Sequence, residues 1–507
     1  MPQNVPYVEV ENFPKVPFVM ETLSVRFLRE NKIVPLEFKQ ETLKIIMADP
    51  YNQSVIDAIK IAVPHKLEIY TSDSQAIDDH LEKFYSQEMQ DITKIIENIE
   101  DETIHYIREE EEDVGHLQDL ASEAPIIKLV NIIITRAVES RASDIHIEPY
   151  DDEVKVRYRI DGVLHDIEIM PKKLQAAIFS RIKIMAKLNI AERRLPQDGR
   201  IKLKVGGAEI DVRVSSIPVL YGESLVMRLL GQKGIKIDME MLGFPGDTLT
   251  TFNNIIKNPN GIILVTGPTG SGKTTTLYGA LDKINSPDKK IITVEDPIEY
   301  HLKGVNQIQV MPQIGLDFPN ILRHIVRQDP DIIMIGEIRD LETAEIAIQS
   351  ALTGHLVFST LHTNDAPTAI TRLLDIGVPN FLLAATLRGV LAQRLVRVIC
   401  PECRDIDEVA IREERAKITF PDNHVTLYKG RGCEKCAQTG FFGRSGIFEM
   451  FTIDNAIHQL IIQNADAQQI REIARKNGMR TLMEDGLLKV KTGVTTINEI
   501  FRATQEI

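Results

Sequence analysis

The sequence predicts a multidomain α/β protein whose largest domain is built on a parallel sheet. Its 507 residues exceed what one hydrophobic core usually serves. A glycine-rich turn at 267–274 lies between an apolar run and a helix-favouring segment, which is the pattern of a phosphate-binding strand–turn–helix unit. Three later apolar runs also end in polar residues, as buried parallel strands do at the ligand-binding edge of a sheet.

Residues 1–88 are predicted to form a small α/β domain. Helical spacing of apolar residues covers 18–28, and strand candidates lie at 43–48 and 67–70, with a second helix after them. The segment carries no catalytic pattern, so we interpret it as a docking domain. Residues 89–122 are rich in glutamate, and a charged run of this kind indicates an acidic linker.

A second domain, of the α+β type, is predicted at 123–235. It begins with an amphipathic helix at Ala124-Pro125, and strand-like alternation follows, with Asp161-Gly162 as a two-residue hairpin turn. Each arginine of this domain taken alone is an ordinary surface charge, but the cluster indicates a surface that faces an anion. The basic residues concerned are Lys155, Arg157, Arg159, Arg193, Arg194, Arg200, Arg213 and Arg228.

The third domain is predicted at 236–507 and contains the phosphate loop, defined here as residues 267–274. Its glycines allow backbone N–H groups to approach phosphate oxygens, and the following helix adds a favourable dipole. Lys273 is predicted to reach the β- and γ-phosphates of ATP, and the Thr274 hydroxyl to bind Mg²⁺. A purely structural turn is the alternative. The predicted nucleotide-binding residues are Gly267, Pro268, Thr269, Gly270, Ser271, Gly272, Lys273, Thr274 and Thr275.

Carboxylates at the ends of two predicted strands are candidates for catalysis. Glu337 follows the run 332–335 and is predicted to polarise the attacking water or a metal-bound water. Gly336 occupies the position where aspartate is more common in this kind of site. Glu295 and Asp296 end an earlier run and form a second candidate pair, with helix capping as the alternative role. These strand ends are expected to converge on one nucleotide.

Two histidines and several arginines complete the candidate catalytic set. His355 and His362 are predicted to hydrogen-bond the γ-phosphate, with structural roles as the alternative. Positive charge for the transition state of phosphoryl transfer can also be supplied by a neighbouring subunit. The candidate arginines are Arg213 and Arg228 in the second domain, and Arg323, Arg327, Arg339, Arg372 and Arg397 in the third.

All four cysteines of the chain fall in two C-x-x-C pairs, Cys400/Cys403 and Cys433/Cys436. In a reducing compartment this spacing is typical of a structural zinc site with four thiolate ligands. A redox role or an incidental one is the alternative. The sequence therefore predicts a zinc subdomain at 397–440, inserted in the third domain.

Net charge and hydropathy restrict the partners and the location. A net charge of −14 argues against a general nucleic-acid binder and against direct adsorption to anionic lipid. The N-terminus lacks the basic and apolar regions of a signal peptide, and no apolar run approaches the ~20 residues that span a bilayer. The protein is expected to be cytoplasmic, so that a membrane role would depend on protein partners.

Several segments resemble the secretion ATPases of type II secretion and type IV pili. Residues 267–278, 292–300, 329–340 and 353–364 are similar to the family's Walker A, Asp box, Walker B and His box. Residues 141–149 and 194–200 resemble its second N-terminal domain, and the paired C-x-x-C resembles its zinc subdomain. The resemblance implies a RecA-like motor domain, preceded by a PAS-like domain and a small N-terminal domain.

The resemblance also implies an activity and partners. The family's members are homohexamers that bind ATP and Mg²⁺ and drive an inner-membrane platform that assembles a pseudopilus. The expected platform partners are a GspL-like bitopic protein and a GspF-like polytopic protein, with no nucleic acid. The chain length and the single short N-terminal module favour type II secretion, and a PilB-like pilus-assembly ATPase is the alternative.

Two other functional classes are compatible with a phosphate loop. One is a RecA-like nucleic-acid motor, against which the acidic net charge and the absence of tryptophan count. The other is a scaffold that binds ATP without hydrolysing it, and the set of acidic candidates is poor support for that hypothesis.

Overall fold

The computed structural model describes residues 5–8, 13, 27–28, 31–39, 42–63, 66–85, 114–205, 208–230, 238–408 and 426–504. These residues belong to two compact units. The first holds the chain up to Ile134, with Met170–Ile184 and Asn189–Glu192. The second holds Thr135–Ile169, Met185–Leu188 and Arg193–Ile507. Among the described residues, no helix has the length and apolar character needed to cross a membrane.

The first unit begins with a three-stranded sheet that confirms both predicted strands of the N-terminal segment. Strand β2 lies between β1, which is antiparallel to it, and β3, which is parallel. Of the helix predicted at 18–28, only 27–28 lie within the described residues, and they are helical. The elements are β1 (Ile33–Lys39), β2 (Thr42–Met47), α1 (Gln53–Ala62), β3 (Lys66–Thr71) and α2 (Ser74–Tyr85).

Helix α3 (Val114–Ser122) occupies the end of the segment predicted as an acidic linker at 89–122. This part of the prediction is wrong, because α3 buries Leu117 and Ala121 and so has an apolar face. Residues 89–113 lie outside the described part of the chain. Helix α4 (Ala124–Glu139) confirms the predicted amphipathic helix, and α5 (Gln175–Ala186) follows later in the chain.

The second unit contains a six-stranded sheet in the order β6-β5-β4-β9-β8-β7. Asp161 and Gly162 connect β5 to β6 with φ of 49° and 88°, which confirms the predicted two-residue hairpin turn. The strands are β4 (Ala142–Pro149), β5 (Glu153–Ile160), β6 (Val163–Pro171), β7 (Gln197–Val205), β8 (Ala208–Val219) and β9 (Gly222–Leu230).

One row of residues across this sheet is strongly basic. Asp144 on β4 is opposite Arg159 on one side and Arg228 on the other. Arg228 is in turn opposite Arg213, and Arg213 is opposite Arg200. Because directly opposite residues share a face of the sheet, four arginines and one aspartate form a continuous row, which contains four of the basic residues predicted to face an anion.

The largest sheet of the second unit has seven strands in the order β12-β11-β13-β14-β10-β15-β18. All its neighbouring strands are parallel except β15 and β18, which are antiparallel. The four apolar runs predicted as buried parallel strands are confirmed. The strands are β10 (Gly261–Thr266), β11 (Ile291–Glu295), β12 (Val305–Gln309), β13 (Ile332–Ile335), β14 (Leu356–Leu361), β15 (Leu387–Ile399) and β18 (Phe441–Thr452).

This sheet is covered on both faces, which explains why its central strands read as continuous apolar runs. Ile262 and Leu264 belong to one buried cluster, whereas Ile263 and Val265 belong to the cluster on the other face. The helices of this part of the chain are α6 (Gly246–Ile255), α7 (Lys273–Ile284), α8 (Phe318–Ile325), α9 (Leu341–Leu352), α10 (Ala366–Ile376), α11 (Asn380–Thr386), α12 (Asn455–Ile462), α13 (Ala467–Lys476), α14 (Leu482–Lys491) and α15 (Ile497–Thr504).

The cysteine-bearing segment is inserted between β15 and β18. Its two short strands, β16 (Arg404–Ile406) and β17 (Tyr428–Gly430), pair antiparallel. The insertion is closed at its base, where the backbone N–H of Cys400 donates to the carbonyl of Gly440 at 3.0 Å. The cysteines are therefore held at the end of the β15–β18 ribbon.

Candidate active site

The phosphate loop joins β10 to α7, as the sequence predicted. Gly267, Gly270 and Gly272 have φ of 148°, 79° and 87°, which is backbone that glycine adopts far more readily than other residues. Space is also restricted, because a Cβ on Gly267 would collide with the carbonyl oxygen of Gln393. A Cβ on Gly272 would lie 2.8 Å from Nε2 of Gln393. Gly267 is therefore required by conformation and by packing against the backbone of β15, and Gly272 by its conformation.

The polar groups of the loop are suited to an anion. The buried Ser271 hydroxyl has no hydrogen-bond partner within the described residues. The ammonium of Lys273 donates to the carbonyl oxygens of Gly267 and Pro268 at 2.7 and 3.0 Å. Lys273 and Thr274 also begin α7, whose free N–H groups and dipole favour negative charge. These groups fit the phosphates of a nucleotide.

Burial lowers the pKa of Lys273 to about 8, and the negative charge of Glu337 acts in the opposite direction. A bound phosphate favours the charged form of the lysine and therefore raises this pKa. We expect ADP binding to take up protons at pH 8.5, and the affinity to fall by up to about tenfold per pH unit above pH 8. Calorimetric titration in two buffers of different ionisation enthalpy measures the uptake. A pH-independent affinity from pH 7 to 9 would contradict this prediction.

Glu337 follows Gly336 just beyond the carboxyl end of β13, and its side chain is only 12% exposed. Its carboxylate forms an ion pair with Arg339, and its Oε2 lies 3.1 Å from Nε2 of His362. A Cβ on Gly336 would lie 3.2 Å from the carbonyl oxygen of Val294, so glycine at this position fits close packing against β11. The structure thus brings together the predicted residues Glu337 and His362, with Arg339 beside them.

Glu295 ends β11 and is 3% exposed. Its carboxylate accepts hydrogen bonds from the Tyr278 hydroxyl, from Thr293 Oγ1 at 2.6 Å and from Gln307 Nε2 at 3.0 Å. Burial, together with the charge and hydrogen bond of Glu295, raises the pKa of Tyr278, which remains a neutral donor. Glu295 is therefore held by three donors, whereas Asp296 next to it is exposed.

The structure does not bring His355 to the site, which corrects the prediction that it contacts the γ-phosphate. His355 precedes β14, whereas His362 follows it, and β14 runs parallel to β10. A strand of six residues spans roughly 20 Å, so His355 lies near the opposite edge of the sheet from the phosphate loop. Its Nδ1 contacts the carbonyl oxygen of Ser350 at 2.8 Å, which closes the end of α9.

The two predicted arginines of the second domain lie beside the segment that follows Glu295. Nη2 of Arg213 donates to the carbonyl oxygen of Ile298 at 3.4 Å, and both residues line a cavity of about 680 Å³. Nε of Arg228 donates to Asp144 at 2.8 Å, and this hydrogen bond raises the pKa of Arg228.

The predicted arginines of the third domain have separate surroundings. Arg323 pairs with Glu342, and Arg397 pairs with Glu499 at 2.7 Å. Nε of Arg327 donates to the carbonyl oxygen of Arg323 at 3.3 Å, and Arg372 is exposed on α10. Arg339 is the member of the set that contacts Glu337.

The four cysteines form one cluster, with all four Sγ atoms within 4.8 Å of one another. Three Sγ–Sγ distances are 3.7, 3.9 and 3.6 Å. Four sulfurs at about 2.3 Å from a tetrahedral zinc ion are about 3.8 Å apart, so the cluster fits zinc. A disulfide requires about 2.05 Å, so these thiols are unbonded. Sγ of Cys436 also accepts from the N–H groups of Cys433 and Gly440 at 3.2 and 3.3 Å.

Sequence reasoning missed the residues that hold the site together. Thr266 Oγ1 lies 2.7 Å from Thr363 Oγ1, which ties the start of the phosphate loop to the loop carrying His362. Tyr278 and Gln307 hold Glu295, and Gln393 on β15 accepts a hydrogen bond from Thr276 of α7, just after the phosphate loop. Each is a common residue type in an ordinary strand or helix, and no short-range pattern distinguishes it.

Comparison with protein families gives two matches along the chain. A model described as type II/IV secretion system protein matches residues 119–502. A model of the MshEN domain matches residues 3–91.

Individual relatives are similar over nearly the whole chain. A type II secretion system protein E from Xanthomonas campestris pv. campestris is 51% identical over 492 residues, which is 96% of this chain and 85% of the relative. The type IV pilus assembly ATPase PilB of Myxococcus xanthus is 43% identical over 500 residues, covering 98% of this chain and 88% of the relative. The crystal structure of the Yersinia pseudotuberculosis ATPase DotB has the same fold, with a TM-score of 0.57 and 20% identity over 80% of this chain and 100% of that chain.

Proposed function

The chain belongs to the type II/IV secretion system protein family, and from this membership we propose that it is the hexameric ATPase that powers pseudopilus assembly in a type II secretion system. One observation carries the catalytic part of the proposal. Lys273, Glu337 and His362 lie at one edge of the sheet, where the phosphate loop begins α7. An edge with a phosphate-binding loop, a carboxylate and a hydrogen-bonding ring suits hydrolysis of a γ-phosphate.

Each residue has a distinct part in the proposed reaction. The amides of the phosphate loop and Lys273 bind the β- and γ-phosphates, and the Thr274 hydroxyl would hold Mg²⁺. The metal ion supplies charge that stabilises the phosphate oxygens. Glu337 orients the attacking water and accepts its proton, while His362 and Arg339 hold the Glu337 carboxylate in position. Glu295, held by its three donors, supplies fixed negative charge beside the site.

The remaining parts of the chain serve the motor. We assign 1–88 to a docking domain for the membrane platform, 123–235 to the arginine-bearing domain and 236–507 to the motor domain. The cysteine cluster holds zinc and stabilises the subdomain at 397–440. In this assignment the protein lies in the cytoplasm at the inner membrane, bound through a GspL-like bitopic protein and a GspF-like polytopic protein.

Deletion of the gene in its source organism tests the proposal. Secreted enzymes are expected to accumulate in the periplasm while pili remain on the cell, and the wild-type gene restores export. The PilB relative favours one other outcome, in which pili are lost and export continues. That outcome would assign the chain to pilus assembly. Purified wild-type chain should hydrolyse MgATP in either case, and absence of hydrolysis in the presence of platform membranes would overturn the ATPase assignment.

A mixing experiment determines which subunit supplies Arg213. Because Arg213 contacts the backbone of Ile298 in its own chain, we expect it to act on the nucleotide of the same subunit. A mixture of Lys273→Ala and Arg213→Ala subunits should then remain as inactive as each variant alone. If Arg213 acted on the neighbouring subunit, an equal mixture would recover about a quarter of the wild-type rate, since half the loops and half the arginines are intact. Exchange of labelled wild-type subunits is the control that mixing has occurred.

A further inference from the structure

Gln393 and Arg394 are adjacent buried residues of β15. Gln393 is hydrogen-bonded to α7, which follows the phosphate loop, and Arg394 to the loop that carries His362. They are 2% and 3% exposed, and β15 lies between β10 and β18 in the sheet. Successive residues of a strand point to opposite faces, so the two side chains reach different surroundings. A polar pair in the interior of a sheet is costly unless each member is hydrogen-bonded, so the identity of the partners is informative.

Gln393 is hydrogen-bonded to α7 and lies close to both ends of the phosphate loop. Its Oε1 accepts a hydrogen bond from Oγ1 of Thr276 at 2.7 Å, and Thr276 is a fully buried residue in the first turn of α7. The Gln393 carbonyl and Nε2 are the atoms that a Cβ on Gly267 or on Gly272 would meet. Gln393 thus contacts the beginning of the loop, its end and the helix that the loop leads into.

Arg394 contacts the loop that carries His362. Its Nη2 donates to Oδ1 of Asn364 at 3.0 Å, two residues beyond His362. The residue between them, Thr363, is hydrogen-bonded to Thr266 at the start of the phosphate loop. The loop of His362 is thus bonded to β15 and to the last residue of β10, where the phosphate loop begins, and β15 is also bonded to α7, where the phosphate loop ends.

We propose that Gln393 is a positioning residue for nucleotide binding, which acts through Thr276 and the phosphate loop without touching the nucleotide. By the same geometry, Arg394 positions the loop of His362 through Asn364. The inference rests on the proposed function in so far as the phosphate loop is the nucleotide site. The inference implies that the two residues affect different quantities. Loss of Gln393 displaces the phosphate loop and raises the Kd of the nucleotide, whereas loss of the Arg394 contact displaces the His362 loop and lowers kcat.

The test of Gln393 is a double-mutant cycle with its partner. Gln393→Leu and Thr276→Val each remove one side of the hydrogen bond, and each is expected to raise the Kd of a fluorescent ADP analogue by about five- to tenfold. The double variant should be no weaker than the weaker single variant, because both changes remove the same bond. Thr276→Ser keeps the hydroxyl and should bind nearly as the wild type does.

A matched control separates positioning from a general loss of stability. Thr386→Val removes a buried hydroxyl bond to the carbonyl of Leu382 immediately before β15, away from the phosphate loop. It should lower the urea midpoint as Gln393→Leu does and leave the Kd unchanged. Asn364→Ala tests the Arg394 contact. It changes an exposed residue and should lower kcat several-fold while the Kd stays unchanged.

Three outcomes would overturn the inference. These are a folded Gln393→Leu chain with the Kd of the wild type, additive losses in the double variant, and an equal loss of affinity in Thr386→Val. Wild-type chain that binds no ADP in this assay would instead contradict the proposed function, so that the two failures are distinguishable.

Discussion

Replacement of Glu337 by glutamine is expected to lower kcat for ATP hydrolysis by roughly 10²–10⁴-fold, while MgATP still binds. Glutamine has the shape of glutamate and can keep a contact with His362, but it cannot accept a proton from the attacking water. The ion pair with Arg339 is also lost, and because Arg339 is exposed this loss should have little effect on stability. Steady-state hydrolysis and binding of a fluorescent ATP analogue measure the two effects separately.

Two further variants make this experiment specific. Glu345→Gln applies the same chemical change to an exposed glutamate on α9, and its kcat should equal that of the wild type. Lys273→Ala removes the ammonium from the phosphate loop and should abolish nucleotide binding together with turnover. A Glu337→Gln chain that hydrolyses ATP within about threefold of the wild-type rate would exclude Glu337 as the general base.

Replacement of Cys436 by serine is expected to eliminate tightly bound zinc and to unfold the inserted subdomain. The apparent free energy of zinc binding to a four-cysteine site is on the order of 10 kcal/mol, so it exceeds what the small core of the insertion can supply. Elemental analysis should give one zinc ion per wild-type chain and less than about a tenth of that in Cys436→Ser after dialysis. Limited proteolysis should then cut the variant within 400–440 and leave the wild type intact.

The cysteine experiment has a control in the same turn. Lys435→Ala changes a solvent-exposed neighbour that pairs with Glu402 on the surface, and it should keep the full zinc content. Cys436→His retains a zinc ligand and should recover part of the metal. Wild-type protein purified without any zinc, and stable to chelators, would refute the assignment of this cluster as a structural zinc site.

The parallel strands and the phosphate loop could be predicted because their signals are local. An apolar run of four to six residues followed by glycine, glutamate or histidine predicts a buried strand and also shows which end of that strand lies at the ligand-binding edge of the sheet. The length of a strand explains why the prediction for His355 is wrong. A residue before β14 and a residue after it cannot both contact one phosphate, because the strand between them spans the sheet.

Contacts between distant segments could not be predicted. Tyr278 and Gln307 converge on Glu295, and Thr276 meets Gln393 across 117 residues of sequence. Each pair depends on strand order and register, which hydrophobic periodicity does not encode. Helix α3 was missed for another reason, since its apolar face follows directly after an acidic run and the charge obscured it.

The position of β10 inside its sheet, between β14 and β15, has a consequence for the order of folding. Its neighbours on both sides come much later in the chain, and the bond from Thr266 to Leu361 spans 95 residues. Long-range pairing of this kind closes large loops and is slow to form. A nascent chain that has not yet extended past β15 therefore contains the whole phosphate-loop sequence but lacks the neighbouring strands that hold the loop in its conformation. During synthesis, nucleotide capture should become possible only late, when the motor domain is nearly complete.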